Sequence, residues 1–90
     1  MTKDDFLKLL IEKEFPEPVL VKKPANGGLG IHTHDFEVMA LIVEGLINIQ
    51  VDKIESSYLP GSIFHLTFAK PHSENYGPQG VTYLASRKIR

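Results

Sequence analysis

The stretch "GIHTHDFEVMALIVEG", Gly30 to Gly45, carries two histidines one residue apart, followed by an apolar run that closes on a glycine. On a β-strand, residues two apart point to the same face, so His32 and His34 project together and can reach one ion held against that face. Two imidazoles do not make a site by themselves, and a third ligand is needed. The chain has no cysteine, so any metal must be bound through His, Asp or Glu rather than thiolate, and there is no disulfide.

A pair of strand-borne histidines needs a scaffold, and the rest of the chain supplies strand signals. "TKDDFLKLLIEKE" places Phe6, Leu9, Leu10 and Lys13 on one helical face, with Leu7 and Ile11 adjoining. Thr2 is the expected N-cap, and Asp4 and Asp5 suit the positive end of the helix dipole. A short amphipathic helix over residues 2–14 follows, stopped by Pro16 and Pro18. Beyond it, short β-branched and aromatic runs alternate with turn residues: 19–22, 31–34, 36–43, 47–51, 55–59, 63–67, 71–76 and 81–86. Breaks fall at "PANGG", "EG", "DK", "PG", "AK" and "GPQG". Close spacing of this kind predicts an antiparallel sandwich or barrel over residues 19–90. Asn26-Gly27 reads as a hairpin turn rather than as part of a phosphate loop, because no Lys-Ser or Lys-Thr and no helix follows "NGGLG".

Ninety residues make one domain with a modest core. Ten Lys and Arg against eleven Asp and Glu give a net charge of −1, which offers no drive toward nucleic acid or an anionic membrane. The apolar run from Val38 to Val43 is too short to span a bilayer, and "MTKDDF" lacks the order of a signal peptide, so a cytoplasmic location is expected. A symmetric homodimer is the expected assembly, since a barrel this small leaves sheet edges and an apolar helix face to cover. Serine- and cysteine-nucleophile schemes find no support: there is no Ser-centred elbow and no Cys.

Gly30 to Gly45 resembles the first conserved motif of the cupin superfamily, a glycine-led segment with an HxH pair, a glutamate a few residues on and a closing glycine. "PGSIFHLTFAKPHSENY", Pro60 to Tyr76, is similar to the second, in which a PG turn opens a strand and a histidine follows a further turn. The resemblance implies a small all-β fold, an antiparallel β-barrel of the cupin or jelly-roll type with one short N-terminal helix. It also implies that His72 is the third metal-binding histidine, so that His32, His34 and His72 hold a divalent ion, with Zn, Fe, Ni, Cu and Mn all compatible with imidazole ligands. The family's glutamate would fall on Val38, whereas the acid present is Glu37, one residue earlier. A one-residue shift turns a side chain to the opposite face, so Glu37 joins the site only if the strand bends after His34.

His65 shares strand parity with Ile63 and Thr67 and is a candidate polar contact at the barrel mouth, as is the hydroxyl of Tyr76; a packing role is the alternative for each. Asp35 is read as solvated or as a partner orienting an imidazole. Cupin-type barrels host dioxygenases, isomerases, lyases and sensing modules, so the resemblance leaves the activity unassigned. Three readings stay open: binding of a metal with a small molecule, a metal-free binding or sensing module, and a metal-dependent enzyme.

Overall fold

The computed structural model describes residues 1–89; Arg90, the last residue of the expected barrel, lies outside them. One helix, α1 (Lys3–Glu12), is followed by six strands: β1 (Val19–Lys23), β2 (Gly28–His32), β3 (Phe36–Val51), β4 (Ile54–Tyr58), β5 (Ile63–Leu66) and β6 (His72–Ile89). The Thr2 side chain accepts a hydrogen bond from the Asp5 N–H at 3.1 Å, as expected of an N-cap. The helix stops at Glu12, two residues earlier than predicted. Glu14 takes up a left-handed φ of 61°, which turns the chain so that Phe15 packs back under the helix.

All pairing is antiparallel, in the order β1-β6-β3-β4, with β2 also on β6 and β5 also on β3. β3 and β6 lie side by side over nearly their whole length. The first half of β3 pairs with the second half of β6 and with β5, and the second half of β3 pairs with the first half of β6 and with β4. The result is a jelly roll whose sheet folds over itself without closing into a hydrogen-bonded ring.

The "EG" and "GPQG" breaks are where the sequence reading and the structure differ. Both segments lie inside strands, so the eight expected runs become six elements. Gly45 and Gly80 adopt φ of +80° and +73°, and the β3–β6 register shifts between Ile42 and Glu44 and again between Gly45 and Ile47. These glycines bend the two long strands instead of ending them, and the bend lets one strand serve both layers. A Cβ at Gly45 would lie 2.1 Å from the Gly80 carbonyl oxygen, so only glycine permits so close a crossing.

The run "VMALI" explains why the sheet is covered on both sides. Val38, Ala40 and Ile42 enter the core between the layers with Ile47, Phe64 and Tyr83, while Met39 and Leu41 face outward onto Phe6, Leu10 and Phe15. A strand buried on both faces loses the polar alternation of a half-exposed one. Helix α1 therefore seals the outer face of the layer formed by the first half of β3, β5 and the second half of β6, while His32 and His72 belong to the opposite layer.

Candidate metal centre

β2 ends at His32 and β6 begins at His72, and these two residues are direct cross-strand partners. The ladder thus sets two imidazoles side by side on one face, with ring centroids 4.2 Å apart. His34 follows just beyond β2. Its carbonyl accepts from the Ala69 N–H at 3.0 Å, which ties this segment to the turn leading into β6 and brings the third ring to 4.9 Å from His32 and 5.2 Å from His72. One ring nitrogen from each of the three residues lies within 4.8 Å of those of the other two.

The protonation pattern follows from the partners. His32 Nδ1 donates to the Gly30 carbonyl at 2.6 Å and His72 Nδ1 to the Lys70 carbonyl at 2.9 Å. A carbonyl oxygen only accepts, so each Nδ1 carries a proton and Nε2 is the ring nitrogen left to act as a ligand. Both Nε2 atoms are buried and have no protein hydrogen-bond partner. His34 stacks on Phe36, with ring centroids 4.8 Å apart and planes 14° from parallel. Burial, followed by repulsion from His32 and His72, holds its pKa below the ordinary 6.5, outweighing the pull of Glu74. The neutral form of the His34 ring is thereby favoured.

Glu74 faces the same cluster. Its Oε1 lies 3.6 Å from His32 Nε2 and 3.9 Å from His72 Nε2, while its Oε2 accepts a hydrogen bond from the Tyr76 hydroxyl at 2.8 Å. Burial and then the bond to Glu74 push the Tyr76 pKa up, and burial with the Glu74 charge pushes Tyr83 up to about 12. Beside the cluster is a cavity of about 50 Å³ whose lining includes His34, His72, Glu74, Phe36, Phe64 and Arg87.

No family model and no curated protein sequence matches the chain. Solved structures do. A cupin superfamily protein from Desulfitobacterium hafniense DCB-2 superposes with a TM-score of 0.69 at 17% identity, over 79% of this chain and 64% of that one. KdgF from Halomonas sp. gives 0.67 at 18% identity, over 83% and 72%. A mutant of the oxalate decarboxylase OxdC from Bacillus subtilis gives 0.71 at 17%, over 80% of this chain and 20% of that one. This chain has the cupin fold. It spans just under two thirds of the first of these structures and about a fifth of the last.

In this cupin barrel the remaining predicted site residues divide between two faces. Glu37 follows the parity of Met39 and Leu41, and its carboxylate pairs with His65 Nε2 on the helix-covered face rather than with the three histidines. The chain does bend at Asp35, just after His34, yet Glu37 still turns to the helix-covered face, away from the three histidines. His65 likewise lies outside the lining of the cavity beside the cluster, where its neighbours Phe64 and Leu66 are found. Its ring instead meets Phe15 edge-on, with centroids 6.3 Å apart. Tyr76 is buried in the core and commits its hydroxyl to Glu74. Sequence reasoning passed over Glu74, although its parity with His72 on one strand was the signal that would have found it.

Proposed function

We propose that the chain is a small metal-binding cupin in which His32, His34 and His72 hold one divalent ion that meets a small molecule. The observation that carries this reading is the pair of buried, unpartnered Nε2 atoms on His32 and His72. Leaving a buried polar atom unmet costs on the order of 1–3 kcal/mol. One cation satisfies both lone pairs at once, and three neutral imidazoles are a donor set that suits Zn, Fe, Ni, Cu or Mn. When bound, such an ion supplies a Lewis-acid position and, for the redox-active metals, an electron-transfer centre.

The chain's own groups prepare that position. The Gly30 and Lys70 carbonyls fix two rings in the ligating tautomer, and burial keeps the His34 ring uncharged. Phe36, Val38, Phe64 and Leu66 line the adjoining cavity and limit water there. Its volume of about 50 Å³ admits a small group rather than the drug-sized ligands of pockets on the order of 300–1,000 Å³. Arg87 lines the same cavity and favours a ligand with a small anionic end.

Titration of chelator-stripped protein with Zn²⁺ or Ni²⁺ at pH 7.5 is expected to give one ion per chain. Failure to bind any first-row divalent ion would turn the reading to a metal-free ligand pocket. The homodimer belongs to the same reading: β1 is an edge strand with Val19 and Leu20 55% and 59% exposed, and Ile11 of the helix is 77% exposed. Light scattering is expected to return twice the chain mass of 10.1 kDa; the monomer mass at tens of micromolar would remove it.

A further inference from the structure

We infer that Glu74, and not Glu37, supplies the carboxylate of the metal centre, as a fourth protein ligand. The inference rests on the reading of the three histidines as a metal site.

Glu37 is already engaged: it turns to the helix-covered face and pairs with His65. Glu74 stands beside two of the three imidazoles, those of His32 and His72. It comes from β6, two residues after His72, so strand parity alone puts its side chain on the face that carries the imidazoles. Across the ladder its register neighbour on β2 is Leu29, three residues before His32, and the shift between Leu29 and His32 brings His32 opposite His72. The carboxylate is nearly enclosed, with 9% of the side chain exposed.

The distances suit a carboxylate that shares an ion with the two rings. Glu74 Oε1 stands 3.6 Å and 3.9 Å from the two unpartnered nitrogens, beyond hydrogen-bond length in both cases. Two ligands each about 2.1 Å from one ion and set near a tetrahedral angle are about 3.4 Å apart. The spacing is thus close to that of groups sharing an ion and too long for groups bonded to each other. Tyr76 completes the device: its hydroxyl donates to Oε2 and leaves Oε1 directed at the histidines, the kind of outer hydrogen bond that fixes a ligating carboxylate. Three neutral imidazoles and one carboxylate reduce the charge of a divalent ion to +1, which leaves it an acceptor for an anionic small molecule.

The test compares Glu74→Gln with Glu37→Gln by Zn²⁺ and Ni²⁺ calorimetry on the full chain, with circular dichroism of each metal-free variant to show that it is folded. In Glu74→Gln the side-chain amide keeps an acceptor for the Tyr76 hydroxyl while losing the charge. Glu74→Gln is expected to weaken binding by about 10- to 100-fold or more, since even groups that only support a ligand cost that much. Glu37→Gln should stay within about twofold of the wild type. If Glu74→Gln does not fold, Glu74→Asp carries the test, because it keeps the charge, shortens the reach by one methylene and should still weaken binding about tenfold. X-ray absorption of the Ni²⁺ or Zn²⁺ form supplies a readout other than affinity: one light-atom oxygen ligand should be lost in Glu74→Gln. Wild-type binding that is lost in His72→Ala but unchanged in the Glu74 variants would overturn the role of Glu74 and leave the histidine site standing. Absence of metal binding in the wild type would overturn both.

Discussion

Replacing His72 with alanine is expected to weaken divalent-metal affinity by at least about 100-fold, the upper end of what losing a supporting group costs. His72 is 2% exposed and stands directly across the ladder from His32, so truncating it removes one of the three imidazoles from inside the cluster. His65→Ala is the matched control: it deletes an imidazole of the same chain that pairs with Glu37 on the other face, and affinity should change by about twofold or less. The same experiment carries a pH signature. Ion and proton compete for the same ring nitrogens, so affinity should fall as pH is lowered through ~6.5, the ordinary value for a histidine, with more than one proton bound per ion released. Burial, followed by repulsion from His32 and His72, holds the His34 pKa below that value, so its share of the loss should extend toward lower pH. Calorimetry at pH 7.5 and 5.5 reads both effects. Equal affinities for the His72 and His65 variants, or affinity indifferent to pH, would contradict them.

The second large effect is on stability. Gly45→Ala forces a side chain onto a residue with φ of +80° and sets its Cβ 2.1 Å from the Gly80 carbonyl oxygen, a backbone atom that cannot move without displacing β6. Left-handed strain alone costs about 1–3 kcal/mol, and the clash adds to it, so a loss of about 3–5 kcal/mol is expected. For a domain of this size that lowers the melting temperature by about 12 °C or more. Gly30→Ala is the contrasting case: a Cβ there meets nothing within 4 Å, and melting should stay within about 3 °C of the wild type. Thermal denaturation of the two variants decides it, and a Gly45→Ala protein that melts with the wild type would show that β3 and β6 do not cross where the structure has them.

Much of this site was legible from residue order. Period-two parity expected His32 and His34 together; they do meet, but His34 lies past the end of β2 and is held by its carbonyl to Ala69, while Glu37 turns away as the same rule warned. The N-cap at Thr2 and the turn at Pro60-Gly61, where Gly61 adopts φ of +88°, followed from local chemistry. What local chemistry misjudged was the meaning of glycine inside a strand. Gly45 and Gly80 look like turn residues in isolation, and only the crossing of two long strands makes them bends. Glu74, by contrast, was within reach, since the expected strand over 71–76 already put it on the same face as His72. The pairing of His65 with Glu37 was out of reach, since it depends on the register of β5 against β3 across 28 residues of chain.

Three imidazoles, from β2, the segment after it and β6, converge on one ion in the proposed centre. The most direct measurement of that convergence is diffraction from crystals grown with Zn²⁺ or Co²⁺, recorded on both sides of the metal's absorption edge. One anomalous peak per chain is expected, about 2.1 Å from a ring nitrogen of each of His32, His34 and His72. An empty cluster under saturating metal, or an ion held elsewhere while the His32 and His72 Nε2 atoms meet water or an organic ligand, would contradict it.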